Sequence, residues 1–174
     1  YDTLTHLPNR RLLADRMQLA MAHSRRSNHL LGICMLDLDG FKPVNDQYGH
    51  EVGDQLLIEV SQRLLDCVRG DDTVARLGGD EFVLLLSGLN SAGELEEALR
   101  RVLQRLSAAY MLTEQPIIVS ASIGVTLYPS DNGDADTLLR HADHAMYLAK
   151  EAGKNRFILF NPTLIERERD NRPA

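Results

Sequence analysis

Hydrophobic positions along the chain alternate between the spacing of helices and that of strands. Apolar side chains recur every three or four residues in four segments, as in amphipathic helices. These predicted helices lie at about residues 8–28, 51–69, 92–110 and 135–151. Shorter, nearly continuous apolar runs predict strands between them. These predicted strands lie at about residues 30–38, 117–128 and 157–160, with a hairpin at about 73–87.

The predicted element order is therefore α-β-α-β-β-α-β-α-β. A hairpin inside a helix–strand alternation does not suit a purely parallel, doubly wound sheet. It favours an α+β sandwich, in which helices flank a mixed, largely antiparallel sheet of about five strands. Gly153 is the predicted C-cap of the last helix. We expect one domain over residues 1–165, followed by a polar tail or linker over residues 166–174.

Composition narrows the possible partners. The 174 residues have a formal net charge of −6 and no long Lys/Arg run, which argues against broad nucleic-acid binding. A small basic pocket for one triphosphate remains compatible with this charge. Cys34 and Cys67 lie apart in apolar segments, so we expect two buried thiols in a reducing compartment.

The sequence also indicates where the domain works. No apolar run approaches the ~18 residues of a membrane span, and the chain starts abruptly at Tyr1 without a signal peptide. We expect a cytoplasmic domain cut from a longer protein. Any membrane anchor or sensor domain would then lie in the rest of that protein.

Carboxylates stand at two places where apolar segments end. Asp37 and Asp39 close the first predicted strand, and Asp80 and Glu81 follow a Gly-Gly pair at the hairpin tip. Strand alternation puts Asp37 and Asp39 on one side. If the first strand lies beside the hairpin, Asp37 and Asp80 converge. One or two carboxylates plus substrate phosphates are the usual Mg²⁺ site, although either cluster alone is more often a turn or a helix cap.

Four motifs resemble the signatures of the GGDEF domain family. The segment over residues 37–54 matches D-x-D-x-F-K-x-x-N-D-x-x-G-H-x-x-G-D, and residues 78–82 read Gly-Gly-Asp-Glu-Phe. Residues 2–10 are similar to D-x-L-T-G-L-x-N-R, and residues 142–155 to A-D-x-A-(L/M)-Y-x-A-K-x-x-G-(K/R)-N. One departure is His6, where the family usually has glycine.

The resemblance implies a palm-like fold with a ferredoxin-like core. It also implies the activity of a diguanylate cyclase. Such enzymes condense two GTP into cyclic di-GMP and release two pyrophosphates. The resemblance further implies that Asp37, Asp80 and the Leu38 carbonyl bind Mg²⁺, with Mn²⁺ as an alternative. Glu81 would help to activate the 3′-hydroxyl. Because the product has two equivalent phosphodiester bonds, a homodimer is expected to catalyse the reaction.

The resemblance also implies a substrate site. Lys42, Lys150 and Lys154 would neutralise the β- and γ-phosphates, together with backbone N–H groups near Gly40 and Phe41. Gly78 and Gly79 would let a nucleotide approach closely. Asn45 and Asp54 would read guanine, because a carboxylate accepts from its N1–H and N2–H₂ groups. Surface lysines and helix-cap residues are the alternatives for these positions.

A second site is implied by Arg69 and Asp72, which form an R-x-x-D pattern with five residues between Asp72 and Gly78. This spacing resembles the family's product-inhibition site, although the same residues also suit a helix-to-strand turn. Three functions remain open: an active cyclase, a silent domain that binds GTP or cyclic di-GMP and regulates a larger signalling protein, and a pure dimerisation module.

Overall fold

The computed structural model describes residues 1–161, so the predicted domain end at residue 165 and the tail over 166–174 lie outside the described residues. The helices are α1 (Arg10–Ser27), α2 (Phe41–Tyr48), α3 (His50–Cys67), α4 (Ala92–Ser107) and α5 (Ala135–Glu151). The strands are β1 (Leu30–Asp39), β2 (Thr73–Gly78), β3 (Glu81–Leu89), β4 (Ser120–Tyr128) and β5 (Arg156–Leu159).

The five strands form one sheet in the order β2-β3-β1-β4-β5. All neighbouring pairs are antiparallel except β4 and β5, which run parallel. The predicted mixed, largely antiparallel α+β sandwich is therefore confirmed. β1 lies at the centre of the sheet, and its C-terminal end, which carries the predicted acids, lies between β3 and β4.

Side chains alternate across the two faces of this sheet. On one face, Cys34 and Leu36 belong to the larger core beneath α3 and α4. On the other, Ile33 and Met35 pack with α1 and α5. Asp37 follows the second set, so it points toward α5 where β1 ends.

The approach of α5 to β4 depends on Gly124. A Cβ at this position would overlap the backbone of Ala142 and Met146. Glycine therefore lets the helix lie almost directly on the strand. This contact fixes the depth at which the end of α5 meets the end of β1.

Sequence reasoning missed one helix and misjudged two details. Helix α2 has eight residues between Gly40 and Gly49, and its only buried residue is Val44, so it carries too little apolar periodicity to be recognised. Helix α5 is capped by Ala152 rather than by the predicted Gly153, which follows with φ 122°. Cys34 is buried as expected, but Cys67 is only partly so.

No helix in the described part of the chain is long and apolar enough to cross a membrane.

Candidate active site

The carboxylates of Asp37 and Asp80 converge at the end of the central strands. Asp37 on β1 pairs with Glu81 on β3, and the Leu38 amide donates to the Asp80 carbonyl at 3.3 Å. Directly opposed residues share a face of the sheet, so Glu81 also lies on the α5 side. The predicted meeting of the two acidic segments is confirmed.

The hairpin that carries Asp80 has a two-residue loop, because Gly78 pairs with Glu81. Gly78 has φ 147° and Gly79 has φ 50°, so both adopt backbone conformations that favour glycine. A Cβ at either position would meet nothing within 4 Å. The loop therefore needs glycine for its backbone shape, and the space around it is open to a ligand.

A cation already faces Asp37. The Lys150 ammonium on α5 contacts Asp37 Oδ2 in an ion pair. Burial alone would lower the pKa of Lys150, but the hydrogen bond to Asp37 and the charges of the nearby aspartates raise it above its ordinary value. Lys150 therefore stays charged next to the acids.

Asp80 holds its proton more tightly than an exposed aspartate. Burial, and then the neighbouring Asp37 carboxylate, raise the pKa of Asp80 to about 6. Two facing carboxylates cannot both ionise without cost in a partly desolvated place. The pair thus has an excess of negative charge that one lysine only partly balances.

The residues present fit a divalent cation bound with its substrate. Asp37 is 8% exposed, and its Oδ1 is buried without a hydrogen-bond partner among the described residues. No group of three or more His, Cys, Asp or Glu residues suited to a metal occurs within residues 1–161. Two carboxylates, one with a free buried oxygen, match the sparse protein ligation of Mg²⁺, for which phosphates complete the shell.

Asn45 on α2 lies against the start of α3, next to Asp54. Its Oδ1 is buried without a hydrogen-bond partner in the described part of the chain, and a Cβ on Gly53 would overlap that oxygen. Gly53 therefore leaves the space that Asn45 occupies. Asp54 is exposed directly after Gly53, so the predicted pair is brought to the same place. The role of Gly53 was missed because the contact crosses two helices.

The remaining substrate candidates surround the end of β1. Gly40 precedes α2 with φ 88°, and Phe41 and Lys42 form the first turn of that helix. Lys42 is exposed, as is Lys154 in the turn that follows α5. The two lysines thus belong to different elements, the start of α2 after β1 and the turn after α5.

Asp39, the second acid of β1, has a different environment from Asp37. Its carboxylate accepts hydrogen bonds from Ser120 and Ser122 of β4 and from the backbone of Asn155. Its position on the face of Asp37 was predicted, whereas these partners were not. They are more than 80 residues away along the chain, and no local pattern marks them.

Arg69 and Asp72 lie in the turn between α3 and β2. Asp72 accepts hydrogen bonds from the backbone N–H groups of Arg69 at 2.9 Å and Ser87 at 2.8 Å. Its carboxylate therefore stabilises this turn. Arg69 is exposed. Beside this turn a groove of about 440 Å³ lies between α1 and the edge of the sheet, lined by Arg16, Leu19, Ala20, His23, Gly70, Asp71, Asp72, Thr73 and Ser87.

A further contact that sequence reasoning missed joins the N-terminal segment to the hairpin. Arg76 pairs with Asp2 at 2.9 Å and donates to the Gly79 carbonyl. The same segment explains the unusual residue His6, whose φ is 61°. Glycine adopts this backbone conformation without strain, so His6 fills a position at which glycine is favoured.

Comparison with known families agrees with this geometry. The sequence model described as "Diguanylate cyclase, GGDEF domain" matches residues 1–156. The chain belongs to the GGDEF family. Its palm-like α+β fold is that of solved GGDEF domains.

The GGDEF domain of TpbB (YfiN) from Pseudomonas aeruginosa superposes with a TM-score of 0.88 at 33% identity, covering 95% of this chain and 99% of that one. The GGDEF domain of DgcB from Caulobacter crescentus, solved in complex with c-di-GMP, gives a TM-score of 0.81 at 26% identity and covers 91% and 94%. GGDEF domains of this fold thus include one that binds the cyclic dinucleotide.

Two curated relatives are larger signalling proteins. The bifunctional diguanylate cyclase/cyclic di-GMP phosphodiesterase MucR of Pseudomonas aeruginosa is 44% identical over 94% of this chain. The cyclic di-GMP phosphodiesterase PdeR of Escherichia coli is 42% identical over 95%. The chain spans about a quarter of the length of each, 24% and 25% respectively.

Proposed function

We propose that this GGDEF domain is a diguanylate cyclase. The 3′-oxygen of each GTP would attack the α-phosphorus of the other GTP. Each attack forms a phosphodiester bond while the bond to the pyrophosphate leaving group breaks. Two such steps give cyclic di-GMP and two pyrophosphates. The observation that carries the proposal is the convergence of Asp37 and Asp80, with a buried carboxylate oxygen of Asp37 left unpartnered.

Asp37, Asp80 and the Leu38 carbonyl would hold Mg²⁺, or Mn²⁺ in its place. When bound, the metal would polarise the α-phosphate and stabilise the charge that develops during displacement. Glu81, opposite Asp37 on β3, would accept or orient the proton of the 3′-hydroxyl. Lys150, already beside the carboxylates, would move to the phosphates when the metal takes its place.

Recognition of GTP would come from both ends of the nucleotide. Lys42, Lys154 and the backbone N–H groups of Gly40 and Phe41 would hold the β- and γ-phosphates, with Gly78 and Gly79 leaving room beside them. Asn45 and Asp54 would accept and donate along the guanine edge. Adenine lacks the N1–H donor, so Asp54 would be left unpaired against ATP.

Catalysis requires two copies of the domain. One domain has one acidic pair and one Asn45–Asp54 pair among its described residues, whereas the product is two-fold symmetric. We infer a homodimer in which each domain presents one GTP to the other. We also infer that the domain works in the cytoplasm, as part of a longer signalling protein whose other domains bring two copies together.

The test is GTP turnover by the domain fused to a dimeric coiled coil, with Mg²⁺ present and cyclic di-GMP separated by chromatography. We expect product from the native sequence and a loss of at least about 100-fold in Asp80→Asn and Asp37→Asn. Asp131→Asn is the matched control, since that carboxylate bonds Thr126 and His141 instead. Absence of product in a folded dimer would refute the cyclase.

The competing function is a silent regulatory domain that binds GTP or cyclic di-GMP. It is favoured by one finding: a phosphodiesterase, PdeR, contains a region 42% identical to this chain. Binding of GTP without turnover would establish this alternative. Absence of any nucleotide binding would leave only a dimerisation module.

Product inhibition through Arg69 and Asp72 completes the proposal. The exposed guanidinium of Arg69 can make paired bonds to guanine O6 and N7, and an open groove lies beside the same turn. Because Asp72 already holds the turn, Asp72→Ala would also disturb the fold, so Arg69→Ala is the cleaner variant. We expect Arg69→Ala to weaken inhibition by cyclic di-GMP at least about tenfold. Unchanged inhibition would exclude this site.

A further inference from the structure

Asp39 connects three elements at the edge of the candidate site. Its Oδ1 accepts from Ser122 Oγ at 2.7 Å, and its Oδ2 accepts from Ser120 Oγ at 2.7 Å and from the Asn155 amide at 3.1 Å. Both oxygens therefore have donors. In this respect Asp39 differs from Asp37, whose Oδ1 has none among the described residues.

The turn that Asp39 holds has an unusual backbone. Gly153, Lys154 and Asn155 follow one another with φ values of 122°, 64° and 48°. Asparagine tolerates this region better than most side chains, whereas a lysine there is strained and persists only where its surroundings impose the conformation. On the helix side, the amides of Gly153 and Lys154 donate to the Lys150 and Ala149 carbonyls, in the pattern of a Schellman motif.

On the sheet side, β5 begins at Arg156, which pairs with Ser122 of β4, and the bond from the Asn155 amide to the Asp39 carboxylate adds a side-chain contact one residue earlier. Arg156 adds a local bond from its Nε to the Lys154 carbonyl, but that bond stays within the turn. The link to β1 therefore runs through Asp39, and Ser120 and Ser122 fix the direction of its carboxylate. Lys154 lies between the two anchored ends.

We propose that Asp39 is a positioning residue for GTP. It holds the Lys154 turn in a strained shape that directs this ammonium toward the β- and γ-phosphates. Asp39 then sets the affinity for a triphosphate and leaves recognition of guanine unchanged. The inference rests on the proposed function, since it assigns Lys154 to the triphosphate.

The test compares two ligands that share guanine but differ in phosphates. Binding of GMP and of a GTP analogue with a methylene group between its α- and β-phosphates is measured by calorimetry with Mg²⁺. We expect Asp39→Ala to weaken the analogue about tenfold, as for loss of a charge-assisted bond. GMP affinity should stay within about twofold. Asp131→Ala is the control, because Asp131 also accepts from a β4 hydroxyl at 2.7 Å but lies elsewhere.

Asp39→Asn tests whether Asp39 acts by positioning the turn or by its negative charge. Asp39→Asn can present its oxygen to Ser120 and Asn155 and its amide to Ser122, so we expect analogue affinity within about threefold of the native domain. If Asp39 acted through its charge or as a metal ligand, Asn would be as damaging as Ala. That result, or an equal loss of GMP binding in Asp39→Ala, would overturn the proposal.

A double-mutant cycle tests the link to Lys154. Asp39→Ala combined with Lys154→Ala should bind the analogue no more weakly than the worse single variant, whereas additive losses would contradict positioning. If Asp39→Ala does not fold, Ser120→Ala serves instead and should weaken the analogue alone by about threefold.

The binding experiments distinguish a wrong inference about Asp39 from a domain that is not a cyclase. The analogue cannot be cyclised, so selective loss of its binding in Asp39→Ala would support the inference even if the native domain makes no cyclic di-GMP. If the native domain binds the analogue no more tightly than GMP, the inference is overturned.

Discussion

Lys150 lies where the proposed metal and the triphosphate would both act. Its ammonium pairs with Asp37 at the end of β1, where a divalent ion would otherwise balance the two acids. A single charge beside two carboxylates leaves the site still acidic. Under the proposed function, Lys150 would compete with a metal that arrives alone but would assist a metal that arrives with phosphates.

Replacing Lys150 by methionine should change metal and nucleotide binding in opposite directions. Lys150→Met keeps the apolar stem but frees Asp37, so we expect Mn²⁺ alone to bind about threefold or more tightly. The methylene analogue of GTP should bind at least about tenfold more weakly with Mg²⁺. Calorimetry measures both. Lys42→Met is the matched control: exposed on α2, it should weaken only the analogue.

Asp80 gives the metal-free domain a defined pH response. Its folded-state pKa of about 6 lies above the ordinary value of 3.8, so the folded domain holds this proton more tightly than the unfolded chain. The contribution to stability is complete below about pH 4 and is lost as pH rises through 6.

Asp80→Asn mimics the protonated form at every pH. In the presence of a chelator, we expect it to raise the free energy of unfolding at pH 7.5 relative to the native domain, with a smaller gain at pH 5. Urea denaturation at the two pH values measures this difference. An equal gain at both pH values would show that Asp80 does not carry the response.

At the scale of elements, the sequence predicts most of the architecture because periodicity and burial coincide. Strand β1 is central and almost wholly buried, so its apolar run is unmistakable, and the Gly78–Gly79 pair marks the hairpin. Once β1 and β3 are neighbours, the alternation of their side chains puts Asp37 and Glu81 on one face. The meeting of the acids could therefore be predicted.

Helix α2 and the contacts around it could not be predicted in this way. Its eight residues bury only Val44, so they lack a recognisable apolar face. The packing of Asn45 against Gly53 depends on how α2 crosses α3. The two helices are joined by Gly49, which has a positive φ of 90°, and composition does not reveal this backbone conformation.

Gly53 would link this helix pair to the proposed recognition of guanine. Gly53→Ala would push a methyl group into Asn45 Oδ1, so we expect affinity for both GMP and the GTP analogue to fall at least about fivefold. Thermal stability should fall as well. Gly93→Ala is the matched control, since its Cβ would have only an ordinary contact with Ser91 at 3.6 Å and alanine favours helix. Equal behaviour of the two variants would remove Gly53 from the site.

At the scale of the molecule, the candidate site is assembled from parts far apart in sequence. Asp2 reaches Arg76 over 74 residues, and Lys150 reaches Asp37 over 113. Such pairs depend on the complete sheet order and on Gly124, which sets the depth of α5. Composition and periodicity contain no information about them, whereas family motifs mark many of the participants without giving their partners.

The whole-molecule prediction concerns the number of domains in one catalytic unit. If each domain holds one GTP, the specific activity of the isolated domain should rise with its concentration, and fusion to a dimeric coiled coil should abolish that dependence. A single domain that makes both bonds would instead have constant specific activity. Enzyme dilution over about 100-fold, with product measured at each step, distinguishes the two.

Mixed dimers test directly whether both domains contribute to one product molecule. An excess of coiled-coil-fused Asp80→Asn domain places most native domains beside a partner that cannot hold its metal. Such a pair can form the first phosphodiester bond but not the second, so we expect linear triphosphate dinucleotide to accumulate while cyclic di-GMP falls. Mass spectrometry separates the two products, which differ by one pyrophosphate. An excess of Asp131→Asn domain should leave cyclic product unchanged. If Asp80→Asn has no more effect than this control, each domain acts alone and the symmetric dimer is wrong.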